Sequence, residues 1–212
     1  KVLKITHIYE TLYFKNLFIR NENAFFNINT IVTIMAGIFS PLQSKKNVLQ
    51  YKKGVIMKNT SLVYIKKDNK YLMLHRTKKE NDINKDKWIG VGGKFLENES
   101  PEECAVREAW EETGLTLKSL EYRGIVTFAP DNAEGEYMHL FVSRDFSGEI
   151  KECDEGVLKW VEIDKINTLP IWQGDKIFFK LLDENAPFFS LKLVYKGESL
   201  TRAILNQKDL EI

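Results

Sequence analysis

The stretch Gly92–Leu115, GGKFLENESPEECAVREAWEETGL, packs seven glutamates into a chain whose 31 lysines and arginines nearly balance its 30 acids. Its second half carries the start and stop signals of a helix. Ser100 is placed as an N-cap, Pro101 takes the first helical position, Glu103 completes a capping box and Gly114 supplies the C-terminal stop. At 100° per residue, Val106, Ala109, Trp110 and Thr113 fall on one side, the expected core face. Glu108, Glu111 and Glu112 gather on roughly the opposite side. Like charges three or four residues apart on a helix repel by a few tenths of a kcal/mol per pair, so a positive partner is expected there. Hard oxygen ligands at i, i+3 and i+4 suit Mg²⁺, with Mn²⁺ as a second candidate, since both bind phosphates through a few carboxylates while keeping several waters. Taken alone, E-x-x-E-E also fits a solvated acidic face.

Outward from this helix the chain alternates strands and helices. Leu62–Ile65 and Tyr71–Leu74 are β-favouring runs joined by the polar tip Lys66–Lys70, which predicts a hairpin. Thr77–Lys87 reads as a surface loop. Trp88–Gly93 reads as an apolar, glycine-laden strand entering a place where backbone approaches something closely. Further strands are predicted over 124–129, 137–142, 158–163 and 188–195, and a second helix over 174–183, where Ile177, Phe178, Leu181 and Leu182 have helical spacing. Strands before, between and after two helices predict an α/β fold, a mixed β-sheet sandwiched between helices in a single domain.

The frame around the glutamates is more specific than their spacing. Gly93, Glu99, Arg107, Glu108, Ala109, Glu111, Glu112, Gly114 and Leu115 fit G-x5-E-x7-R-E-U-x-E-E-x-G-U at every defined position, U being apolar. The segment resembles the signature of the Nudix (MutT-like) hydrolases. That resemblance implies an α/β/α sandwich and divalent-metal cleavage of a pyrophosphate bond in a nucleoside diphosphate linked to another group. It implies metal ligation by Glu108, Glu111 and Glu112, helped by the Gly92 carbonyl, and an Arg107–Glu99 pair that fixes the loop against the helix. The catalytic base varies within the family, and here the role is divided between Glu108 and Glu155.

Three features outside this segment resemble the branch that hydrolyses oxidised purine nucleoside triphosphates, the 8-oxo-dGTP diphosphatases. They are Lys87–Lys94 (KWIGVGGK), Cys153–Gly156 (CDEG) followed by Lys159-Trp160-Val161, and Pro170–Asp175 (PIWQGD). By this resemblance Glu155 is a further acidic metal ligand, and Trp172 and Asp175 contact the base. A purine stacked on an aromatic face gains about 1–3 kcal/mol, and a carboxyl group can read the purine edge. Ile89 departs from the pattern, because animal members carry an Asn there whose amide helps recognise the base, so the purine must be read differently here. Lys94, next to the glycines, is a candidate phosphate contact. His75 and Arg76 read as a surface pair at a strand end, and His139 as a satisfied sheet histidine.

The even charge balance argues against a nucleic acid polymer as partner. Cys104 and Cys153 fit neither a disulfide framework nor a metal finger, and predict reduced thiols in a cytoplasmic protein. Residues 1–56 hold eight basic side chains against two acids and show no sustained periodicity. Their best apolar run, 30–42, falls short of the roughly 18 residues that span a bilayer, so no membrane association is expected. Lys52–Met57 can be encoded by a purine-rich tract just before a start codon, which predicts that residues 1–56 are a non-native or disordered extension and that the domain occupies 57–212. Oligomeric state is left as monomer or small homo-oligomer. Beside the purine triphosphate reading stand a Nudix enzyme for another substrate, such as a nucleotide sugar or dinucleotide, and a non-catalytic binding module, which would be expected to lose the glutamates kept here.

Overall fold

A computed structural model describes residues 57–80 and 82–212. The expected extension over 1–56 lies outside the described residues. The Leu62–Leu74 hairpin forms as β1 (Lys58–Lys67) and β2 (Lys70–Arg76), antiparallel with Ile65 opposite Leu72 and a two-residue turn in which Asp68 takes positive φ. On its other side β1 runs parallel to β6 (Glu136–Ser143), which pairs antiparallel with β5 (Glu121–Ala129). β5 in turn lies parallel to β9 (Phe189–Lys196). Two hairpins at that edge add β10 (Ser199–Leu205) and β11 (Lys208–Leu210). β3 (Trp88–Ile89) and β8 (Gly156–Glu162) both pair with β2, completing a nine-stranded mixed sheet. β4 (Thr116–Leu117) and β7 (Phe146–Ser147) form a separate small ribbon.

Side chains alternate across this sheet and build two cores. Val63, Ile65, Leu72 and Phe141 pack with Ala105 and Ala109 of α1 (Pro101–Thr113) on one face. Tyr64, Tyr71, Met73 and Leu140 pack with Phe178, Phe179 and Leu182 of α2 (Asp175–Asp183) on the other. The sheet is therefore sandwiched between α1 and α2, as expected. The capping box at Ser100 and Glu103 is formed, and Gly114 closes α1 in the left-handed conformation.

The core face of α1 differs from the expected one. Val106 and Trp110 are exposed, and the buried side consists of Cys104, Ala105, Ala109, Glu112 and Thr113. Ala105, Ala109 and Glu112 are spaced i, i+4 and i+7, so they share one stripe. Small alanines let the helix sit close to β1, and that approach carries Glu112 inward. Trp110 instead lies under the Lys151 ammonium, 4.8 Å from its ring centre.

Other differences concern element ends. Regular strand after Trp88 stops at Ile89, with only a bridge from Val91 to Val63 beyond it. The 158–163 strand ends at Glu162, and Ile163–Thr168 turns into a 3₁₀ helix. The β10–β11 hairpin was not foreseen, although Asn206 and Gln207 both take the positive φ of a two-residue hairpin turn.

Candidate active site

The glycine pair before α1 fixes where its carboxylates stand. Val91 and Gly93 accept hydrogen bonds from β1 through their carbonyls, at Val63 (2.7 Å) and Ser61 (2.8 Å), whereas the Gly92 N–H donates to Glu112 Oε2 at 2.8 Å. Gly92 has φ 146, and a Cβ there would lie 2.1 Å from the Ser61 carbonyl oxygen. A Cβ on Gly93 would lie 2.4 Å from Glu108 Oε1. Only glycines let the chain pass between β1 and the carboxylates. Burial pushes the Glu112 carboxyl up to about 7; the Gly92 N–H opposes this, Glu108 adds to it and Arg76 opposes it.

Two arginines organise the remaining acids. Arg107 grips Glu99 through Nε–Oε1 (2.7 Å) and Nη2–Oε2 (2.9 Å), and it also donates to the Lys94 carbonyl at 3.0 Å. This is the expected pair, and it ties the 94–99 loop to α1. The Arg107 guanidinium holds the Glu99 carboxyl down at about 2. Arg107 Nη1 also reaches Glu108 (2.7 Å) and Glu111 (3.0 Å). Arg76 is not the surface residue expected. Only 11% of its side chain is exposed; it bonds Asp82 Oδ2 at 2.7 Å, contacts Glu155 and stands 4.0 Å from Glu112. Lys79 joins Glu155 from the solvent side. His75, next to Arg76, stacks on Trp88 at 4.6 Å between ring centres.

Among the described residues, no three His, Cys, Asp or Glu side chains converge as a ready-made metal cage. Glu108 and Glu111 turn toward Arg107, Glu112 toward Gly92, and Glu155 toward Arg76 and Lys79. The donor set still fits a hard divalent cation. It is all oxygen, and it includes a buried carboxylate whose nearest counter-charge is the Arg76 guanidinium 4.0 Å away.

A cleft of about 720 Å³ runs past these groups. Glu108, Glu155, Gly92 and Gly93 line it together with the cationic side chains Lys58, Arg76, Lys79 and Lys94. It shares Leu62, Ile83, Asn84, Ile89, Phe128, Glu136 and Met138 with a smaller inner pocket of about 70 Å³, which Tyr64, Trp172 and Asp175 complete. Trp172 is a wall of this pocket and not an open platform. It is 7% exposed, donates its indole N–H to Asn84 Oδ1 at 2.8 Å, and carries the Lys87 ammonium 4.9 Å from its ring centre. Asp175 is equally buried, and burial pushes its carboxyl up to about 8 against the opposing Trp172 backbone N–H and Lys87.

The NUDIX domain model matches residues 57–182 of this chain. The chain belongs to the Nudix hydrolase family. The oxidized purine nucleoside triphosphate hydrolase of Danio rerio is 36% identical over 112 residues, which cover 52% of this chain and 71% of that protein. The enzyme of the same name from Mus musculus is 31% identical over 111 residues, with the same coverage. The crystal structure of a MutT protein from Bacillus halodurans superimposes with a TM-score of 0.63 at 26% identity, covering 71% of this chain and 98% of that one.

This Nudix hydrolase brings Glu108, Glu155, Gly92 and Lys94 to one cleft and Trp172 and Asp175 to the adjoining pocket, while Glu99 and Arg107 brace the loop beneath. Glu111, half exposed, lies at the end of the Arg107 network. Sequence reasoning missed Arg76, Asp82, Asn84 and Tyr64. Arg76, Asp82 and Asn84 belong to a strand end and an irregular loop, where no periodicity marks an inward side chain. Tyr64 was legible only as part of an apolar strand. Among the described residues no helix is long and apolar enough to cross a membrane.

Proposed function

We propose that this Nudix hydrolase is a Mg²⁺-dependent diphosphatase that cleaves an oxidised purine nucleoside triphosphate, such as 8-oxo-dGTP, to the monophosphate and pyrophosphate. The observation that carries the reading is the joined pair of cavities. A polar cleft with four cationic and several acidic side chains opens into a small pocket walled by Trp172, Phe128 and Ile89 and holding Asp175. Such a shape suits a charged phosphate chain at one end and a flat, partly polar ring at the other. The names of the 36% and 31% identical relatives support the same substrate class.

In this reading Glu108, Glu111, Glu112 and Glu155, with the Gly92 carbonyl, hold the metal. When bound, the ion neutralises phosphate oxygens and lowers the pKa of an attacking water. Arg76, Lys79 and Lys94 position the phosphate chain, and either Glu108 or Glu155 accepts the proton from the water. Arg107 and Glu99 keep the 94–99 loop and the carboxylate helix in register. Asp175 reads the base edge, and the Trp172 wall packs against the ring. The service would be removal of damaged nucleotides, in the cytoplasm, before a polymerase uses them.

A substrate panel with Mg²⁺ tests the proposal: 8-oxo-dGTP, dGTP, dATP, ADP-ribose and a dinucleotide. The expected result is the highest kcat/KM for 8-oxo-dGTP. Cleavage of 8-oxo-dGTP no better than that of ADP-ribose would overturn it.

A further inference from the structure

Ile89 stands in the wall shared by the cleft and the inner pocket, where an alkyl side chain cannot hydrogen-bond a base. The polar groups in that wall come from elsewhere. Tyr64 alternates with Leu62 and Thr60 along β1 on the α2 side of the sheet. Its ring is held edge-on by Phe179, 4.8 Å away at 63°, and by Tyr71, 5.5 Å away at 60°. The residue is fully buried, yet its hydroxyl meets no partner in full hydrogen-bonding geometry among the described residues, the Gly90 N–H standing only near enough to oppose the rise that burial gives its pKa. An unpartnered buried hydroxyl is a cost that a protein rarely keeps without use.

The second group is Asn84. Its Oδ1 accepts from Trp172 Nε1 at 2.8 Å, and its backbone N–H is bound to Asp82 Oδ1 at 2.9 Å. An indole N–H only donates, so the bond fixes which way the amide faces, leaving the NH₂ group as a donor at the pocket with no partner among the described residues. The Asp82 that orders this loop is itself held by Arg76, which links the base pocket to the carboxylate site.

We infer that, beside Asp175, the Tyr64 hydroxyl and the Asn84 amide are further specificity-determining groups that read the base in this chain, and that they favour a purine edge presenting a carbonyl acceptor over one presenting an amino group. The inference rests on the purine triphosphate reading of the site. A fixed NH₂ donor and a free O–H pair with the carbonyl oxygens of an oxopurine. The same NH₂ opposes the 6-amino donor of adenine, and a site left with unpaired polar groups rejects the unmatched ring.

The test compares kcat/KM for 8-oxo-dGTP and dATP in the wild type, in Tyr64→Phe and in Asn84→Asp, with thermal unfolding of each. Tyr64→Phe removes only the hydroxyl. Asn84→Asp keeps an acceptor for the Trp172 indole while removing the donor. The preference for 8-oxo-dGTP should fall about tenfold in each variant, and Tyr64→Phe should melt at or above the wild-type temperature because no well-formed protein hydrogen bond is lost. An active wild type whose preference is unmoved by both substitutions overturns this inference alone. So does a Tyr64→Phe variant that melts well below the wild type, since its hydroxyl would then have a structural partner. A wild type inert toward every purine triphosphate overturns the proposed function and this inference with it.

Discussion

Replacing Asp175 by Asn should change how the stability of this protein depends on pH. The carboxyl is 7% exposed, and burial raises it from 3.8 to about 8. Between those values the folded chain holds a proton that the unfolded chain has released, so stability falls as pH rises through the window and levels off above it. At ~1.4 kcal/mol per pH unit, the ceiling on that loss is about 6 kcal/mol. Buried charges in proteins behave as if in a medium of effective dielectric about 20, so an observed loss of about 2–4 kcal/mol, below that ceiling, is expected. The ionisable groups sensing the charge are Lys87, which attracts it, and Tyr64 and Tyr195, whose hydroxyls are pushed up mainly by burial and further by this charge. Glu112, raised to about 7, adds a slope of the same sign, so the useful quantity is the difference between two proteins and not one curve. Asn is nearly isosteric and does not titrate. Urea unfolding of the wild type and Asp175→Asn at intervals from pH 5 to pH 9 should show the variant gaining about 2–4 kcal/mol relative to the wild type as pH rises. A difference that stays constant across that range would refute the assignment of a neutral Asp175 in the folded state.

Two further outcomes are expected. Glu112→Gln should lower kcat by at least about 100-fold while leaving the metal-free protein as stable as the wild type at pH 8 or more so, because it removes a buried charge but keeps an acceptor for the Gly92 N–H; steady-state kinetics and urea unfolding read the two effects. Gly93→Ala should displace Glu108, since the new Cβ would sit 2.4 Å from its Oε1. Mg²⁺ titrations of activity should then show the half-saturating concentration rising about tenfold or more, with unchanged saturation arguing that Glu108 stands clear of the metal.

Most of the architecture was legible because it rests on local signals. The Ser100 cap, Pro101, Glu103 and Gly114 bound α1 by backbone hydrogen-bond chemistry alone, and the Lys66–Lys70 tip marked the first hairpin. The carboxylates of the candidate site were legible for a similar reason, since the spacing from Gly93 to Leu115 is a feature of one continuous segment. Which way α1 would face was not legible. Val106 and Trp110 are the apolar residues a hydropathy reading turns inward, but close packing on β1 favours Ala105 and Ala109, and Glu112 follows them into the interior.

The sequence by itself determined the elements, their capping and the identity of the carboxylate helix, because each depends on neighbours a few residues away. Only the tertiary structure decided which cations meet those carboxylates and what lines the inner pocket. Arg76 reaches Glu155 across 79 residues, and Trp172 reaches Asn84 across 88. Contacts over such separations depend on how the sheet is ordered and how the loop after β2 is laid over it. The spacing of residues along the chain carries no record of that.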